Sequence, residues 1–267
     1  MYLTDFHCHS ICSMDGNVPV AEMAAAGKAA GLTEMCITDH CDLLNGAGER
    51  TLTYDWAPLL EQYERAKELE DDRFTLRLGL ELGGAQVSPE AAKAILTGAE
   101  LDFVIGSIHN KSERLGGGDF YYVRYDSPEL CHEMLADYFD SLLEVAQLGL
   151  YDSLGHVIYP LRYMNRRDGQ NVTLEPHWPV IREILTAVLD SGKAMEVNTY
   201  CGRTVADWRE TLELYRSLGG TLVTMGSDAH HPENMGKGIR ESCVLLKELG
   251  FDGVTTYQKH RPVLHRL

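Results

Sequence analysis

The sequence contains no run of about 18 apolar residues, so nothing in it reads as a membrane-spanning helix. No basic stretch followed by an apolar one stands near residue 1, so no secretory signal is expected and the chain is read as cytoplasmic. The 7 cysteines form no CxxC pair, which argues against a structural zinc knuckle or a disulfide framework. They read as reduced thiols serving as small apolar side chains. Positive charge is scarce: 24 Lys and Arg face 40 Asp and Glu, for a net charge of −16. A surface that acidic repels nucleic acid and anionic lipid, so neither is an expected partner. No low-complexity tract, repeat or Pro/Ser linker interrupts the chain, and residues 1–267 are read as one domain.

What is present is an alternation. Short apolar runs lie at 2–10, 34–40, 75–83, 102–110, 152–160, 194–200 and 221–230, without the strict polar alternation of a half-exposed strand. Helical patterns fill 18–31, 57–72, 88–98, 127–149, 175–192, 204–220 and 238–250. Two of these begin Ser-Pro, at Ser88 and Ser127, a capping residue followed by proline at the first helical position. Strand–helix alternation predicts an α/β fold with a parallel sheet, and about seven units predict a closed TIM-like barrel with strands inside and helices outside. An open doubly wound sheet is the alternative, but no Gly-rich phosphate fingerprint follows the first strand.

Polar residues gather at the predicted strand ends: His7 and His9, Asp39 and His40, Glu81, His109, His156, Glu196 and Asn198, then Asp228 and His230. In a parallel barrel these ends share one rim, where barrel enzymes keep their active sites. Side chains two apart on a strand face the same way, so His7 and His9 point together into the mouth while Cys8 packs outward. Six of 11 histidines fall at such ends; His132, His177, His231, His260 and His265 fall elsewhere and read as structural. His231 is expected to face away from His230. Imidazole and carboxylate donors suit Zn, Mn or Fe. His7, His9, His40, Glu81, His109, His156, Asp228 and His230 are too many for one tetrahedral ion, so a multinuclear site is expected, with Glu81 as its bridge. Asp39 is expected to orient a ligand. Glu196 reads either as a ligand or as a support for Asn198.

With "HCHS", "TDH", "LELG", "SIHN", "GH", "EVN" and "GSDAH" in this order, the chain resembles the PHP family of polymerase and histidinol phosphatase domains over nearly its whole length. Within that family it is similar to the monofunctional histidinol-phosphate phosphatases. The resemblance implies a distorted barrel of seven βα units and a trinuclear centre of divalent ions. His7, His9, Glu81 and Asp228 would hold one ion, and Glu81, His109 and His156 a second. His40 and His230 would hold a third, with Asp15 standing where some relatives carry a histidine. The resemblance also implies arginines on rim loops that grip phosphate: Arg162 and Arg203 sit where they could, with Arg166 and Arg167 nearby. A plain turn at Asp15-Gly16 and surface roles for the arginines are the competing readings.

The expected reaction is metal-dependent hydrolysis of L-histidinol phosphate to L-histidinol and phosphate in histidine biosynthesis, with the small phosphorylated substrate as the partner. Asp228 or His230 would protonate the leaving alkoxide. The alternatives are a phosphoesterase acting on another small ester or nucleotide, and a metal-dependent amidohydrolase. The latter usually carries a bridging lysine on a middle strand, and no lysine stands at a strand end here. A metal-binding protein without catalysis is the remaining class.

Overall fold

The computed structural model describes residues 1–267. Its strands are β1 (Thr4–Asp5), β2 (Glu34–Ile37), β3 (His40–Asp42), β4 (Thr75–Gly83), β5 (Phe103–Ser107), β6 (Ser153–Leu154), β7 (Ala194–Asn198), β8 (Val223–Gly226), β9 (Gly253–Gln258) and β10 (Arg261–Arg266). The helices are α1 (Val20–Ala29), α2 (Ala57–Ala66), α3 (Pro89–Leu96), α4 (Pro128–Leu148), α5 (Trp178–Asp190), α6 (Arg209–Ser217) and α7 (Ile239–Glu248). Strands β1, β2, β4, β5, β6, β7 and β8 pair side by side in that order, all parallel, and β3 continues β2 along β4 in the same register.

The sheet curls until its two ends meet. Beyond β1 the chain bonds to the chain at β8, with Phe6 N–H donating to Met225 O (2.8 Å), Asp228 N–H to His7 O (2.8 Å) and His9 N–H to Ala229 O (2.9 Å). This is the expected distorted α/β barrel, with seven strands on its closed path and helices outside. Helix α4 starts as the Ser-Pro signal predicts: Ser127 Oγ accepts from Leu130 N–H at 3.2 Å, and Gly149 ends the helix in the left-handed region at φ 64°.

The interior is graded along the barrel axis. Phe103 and Ile105 alternate with residues of the outer core, and the same inward face continues to His109. Ala194 and Glu196 repeat the pattern on β7. Phe6, Cys36, Phe103, Ile105 and Ala194 thus form an apolar floor beneath a polar mouth, and Tyr257 of β9 closes it from below. Cys8 lies in the outer core, as expected.

Four local features depart from the sequence reading. Regular pairing is shorter than the apolar runs: 2–10 contributes only Thr4–Asp5 and 152–160 only Ser153–Leu154. The chain after Leu154 turns off at His156 (φ 20°), which re-aims that side chain. Residues Arg162–Arg167 form a π-helical turn rather than an open loop. The antiparallel β9–β10 hairpin follows the last barrel unit and had no counterpart in the predicted elements.

Candidate metal centre

The strands bring the predicted residues together at the mouth. His7, His9, Glu81, His109, His156 and Asp228 are all buried there, with His40 and His230 at the outer edge. Gly226 makes the close approach possible: a Cβ at that position would lie 2.2 Å from His7 Cβ and 2.5 Å from Glu196 Oε1. Asp228 is held at φ 58°, a left-handed conformation costly for a non-glycine residue and common at functional sites.

Glu81 stands at the centre. Its Oε2 lies 3.2 Å from His7 Nε2 and 3.6 Å from His9 Nε2, and His9 Nε2 is 3.4 Å from Asp228 Oδ1. Its Oε1 faces a second triangle, 3.1 Å from His109 Nε2 and 2.8 Å from His156 Nε2, with the two imidazole nitrogens 3.1 Å apart. A third set stacks above, with His9 at 4.1 Å ring separation from both His40 and His230. Asp15 reaches in from its loop, with Oδ2 3.1 Å from His230 Nε2 and Oδ1 3.8 Å from His40 Nε2. Donor atoms bound to one zinc at 2.0–2.3 Å stand roughly 3.3–3.7 Å apart in a tetrahedron. The first triangle has that spacing, and the second is slightly tighter.

Hydrogen bonds on the far side of four rings, those of His7, His9, His109 and His230, fix which nitrogen faces inward. Glu196 Oε1 accepts from His7 Nδ1 at 2.5 Å, and its Oε2 accepts from the backbone N–H of His156 at 2.7 Å. Ser13 Oγ gives its one proton to Asp39 (2.7 Å), so toward His9 Nδ1 (3.1 Å) it must accept. Asp42 Oδ1 accepts from His109 Nδ1 at 2.8 Å, and the Asp228 carbonyl from His230 Nδ1 at 3.1 Å. In its neutral form each of these four rings therefore presents Nε2 as a lone pair. His7 Nε2, His9 Nε2, His230 Nε2 and Glu81 Oε2 are buried and have no hydrogen-bond partner. His40 Nδ1 lies 2.8 Å from Glu81 Oε2 yet makes no hydrogen bond in good geometry. Buried polar atoms without partners are costly. Lone pairs aimed at common points are what a cation satisfies, so this donor set fits divalent metal ions.

Electrostatics agree with a cluster short of positive charge. Burial disfavours ionised Glu81, but His7, His109 and His40 outweigh it and hold the carboxyl well below its usual range. Burial opposes ionised Asp228 too, and Arg162 and His7 overcome it. Burial opposes charge on His7 and His109, yet the surrounding carboxylates raise both well above the ordinary imidazole value. His9 is driven well below it by burial, with His230 and His40 adding repulsion.

Arg162 is buried, donates Nη1–H to Asp228 Oδ2 at 2.8 Å, and is sandwiched between the rings of Tyr159 and Tyr200 at 4.4 Å each. Arg203 stands apart: it is exposed and its guanidinium lies 5.1 Å from the Tyr200 ring. Arg166 pairs with Asp207, and Arg167 with Asp168, away from the cluster. His231 is exposed, as expected. Sequence reasoning missed Asp42, Ser13, Tyr159 and Tyr200. Asp42 carried a signal, being two residues from His40 and so on the same strand face; Ser13 carried none.

The PHP domain pattern matches residues 5–200. The histidinol-phosphatase of Lactococcus lactis is 27% identical over 262 residues, covering 95% of this chain and 93% of that protein. A probable histidinol-phosphatase of Thermotoga maritima is 29% identical, covering 94% of each. A crystal structure of the Lactococcus lactis histidinol phosphate phosphatase with zinc, L-histidinol and phosphate superposes with a TM-score of 0.81, 25% identity and 98% coverage of both chains. A second similar fold is that of a Listeria monocytogenes protein described as a putative histidinol phosphatase, with a TM-score of 0.74 at 16% identity. No helix of the chain is long and apolar enough to cross a membrane.

Proposed function

The chain belongs to the PHP domain family, and on that premise we propose that it is a metal-dependent phosphomonoesterase that hydrolyses L-histidinol phosphate to L-histidinol and phosphate. The observation that carries this reading is the set of inward, unpartnered imidazole and carboxylate atoms around Glu81. The relatives named above supply the substrate. On this reading residues 1–267 act as one catalytic unit, in histidine biosynthesis and in the cytoplasm.

His7, His9, Glu81 and Asp228 would hold one ion, Glu81, His109 and His156 a second, and His40, His230 and Asp15 a third. Zinc, manganese and iron all suit these donors. Divalent ions there would lower the pKa of bound water and neutralise the phosphoryl oxygens.

The chain's own residues supply the rest. Arg162 is the phosphate grip: its guanidinium is held flat between two rings, so little freedom is lost when it meets a phosphoryl oxygen. Arg203 would act as an outer, weaker contact. Asp228, held ionised by Arg162 and His7, is suited to ligation rather than to donating a proton. His230 could protonate the leaving alkoxide only while it holds no ion, because a ring that ligates through Nε2 and donates Nδ1–H to the Asp228 carbonyl has no proton to give; with three ions bound, the alkoxide would take its proton from water.

Purified protein loaded with zinc or manganese should release phosphate from L-histidinol phosphate faster than from nucleoside monophosphates or sugar phosphates. Turnover of another ester alone would overturn the substrate and keep the chemistry.

A further inference from the structure

Asp42 takes no part in the reading above. We infer that it is a positioning residue, whose carboxylate locks His109 with the proton on Nδ1 and so builds the Glu81/His109/His156 donor triangle. The inference rests on the proposed metal centre.

The placement of Asp42 is enforced from several directions. Its strand pairs in register with β4, His40 opposite Glu81 and Asp42 opposite Gly83. Gly83 leaves the space the carboxylate needs, since a Cβ there would fall 1.7 Å from Asp42 Oδ1. Thr51 Oγ1 donates to the Asp42 carbonyl and ties down the chain as it leaves the strand. The side chain is only 7% exposed; the imidazoles of His109 and His40 are its near charged neighbours, and the Asp119 carboxylate also lies within electrostatic range.

Chemistry then sets the tautomer. An aspartate carboxylate only accepts, so across the 2.8 Å contact His109 Nδ1 must donate. Neutral imidazole carries one proton, and Nε2 is left as a lone pair facing Glu81 Oε1 and His156 Nε2, both at 3.1 Å. The opposite tautomer would aim an N–H at the point where the three donors converge. Asp42 thus does for His109 what Glu196 does for His7 and Ser13 for His9. Its other oxygen is 3.8 Å from His40 Nδ1, so one carboxylate stands between histidines of two donor groups.

Two measurements test this, neither of them an activity. In zinc-loaded wild-type protein, long-range proton–nitrogen NMR should show His109 protonated at Nδ1. Competition with a chromophoric chelator, with bound zinc counted by mass spectrometry, should show D42A weakened at one site by about 10- to 100-fold. D42N should stay near wild type, because its amide oxygen still accepts. His109 protonated at Nε2, a bound ion ligated by Asp42 itself, or D42A binding zinc like wild type would each overturn the inference. If D42A does not fold, the wild-type NMR result decides. Wild-type protein that holds zinc but does not cleave L-histidinol phosphate would sink the substrate assignment and leave this inference standing.

Discussion

The barrel pairs imidazole with carboxylate at both ends. At the floor, His260 Nδ1 meets Asp152 Oδ2 at 2.7 Å; at the mouth, His7 Nδ1 meets Glu196 Oε1 at 2.5 Å. The floor pair belongs to a complete network. Asp152 Oδ2 also accepts from Val104 N–H, Tyr257 donates to the Asp152 carbonyl, and the His260 ring is half exposed to water. These bonds fasten the β9–β10 hairpin under the barrel. The mouth pair is one half of a network whose other half is missing, because His7 Nε2 is buried with nothing to bond. The lesson is that the pair itself says little. Function is marked by a nitrogen that the fold orients carefully and then leaves without a partner.

The comparison predicts opposite consequences for substitutions at the two ends. The largest effect belongs to E81Q, which removes the carboxylate shared by two donor triangles. Phosphate release should fall roughly 10³-fold or more, because several kcal/mol of charge stabilisation are lost. Next is R162A, which should lower kcat/KM by about 10²- to 10³-fold, the usual cost of losing one well-placed donor to a developing anion. In both variants the metal-free protein should keep its far-UV circular dichroism spectrum.

At the floor the sign reverses. Y257A removes a buried ring and should lower stability by about 3–5 kcal/mol in urea denaturation, while activity per folded molecule stays near wild type. Loss of catalysis in proportion to stability at both ends would erase the distinction.

A pH effect of intermediate size sharpens it. Burial opposes charge on His40, but Glu81 and Asp42 more than offset that, and its pKa is raised to about 9. In metal-free protein its protonation therefore contributes stability in full below the unfolded value of about 6.5, and that contribution fades as pH climbs to about 9. Urea titrations across this window should slope downward for metal-free wild type and be flatter for H40Q. Zinc-loaded protein should gain over metal-free protein as pH rises, since the ion binds unprotonated imidazole. The smallest expected effect is that of R203A, within about twofold of wild-type kcat/KM, as befits an exposed arginine outside the cluster.

Much of this architecture was legible in the sequence because two periodicities coincide. Histidines two apart share a strand face, and the carboxyl ends of parallel barrel strands share a rim, so His7, His9, Glu81, His109, Asp228 and His230 could be placed together from the sequence. What was not legible has physical causes. The β9–β10 turn runs through Lys259 and His260, both at positive φ (49° and 61°) without the Asn-Gly signature such hairpins usually carry. The floor hairpin was therefore invisible. His156 reaches the cluster by leaving its strand, which pattern alone cannot distinguish from staying in it. Ser13 acts on His9 through a hydroxyl whose proton is already committed to Asp39, a relation that exists only in three dimensions. Arg162 read as a rim loop residue and is instead buried in a π-helical turn, where Asp228 and two tyrosines hold it.

The central claim is tested most directly by counting ions. Wild-type protein and E81Q, each dialysed to equilibrium against zinc, should be compared by native mass spectrometry. The account predicts about three ions per wild-type chain and the loss of two in E81Q, since one carboxylate serves two sites. Wild-type protein that retains no zinc, or E81Q that retains the full wild-type complement, would contradict it.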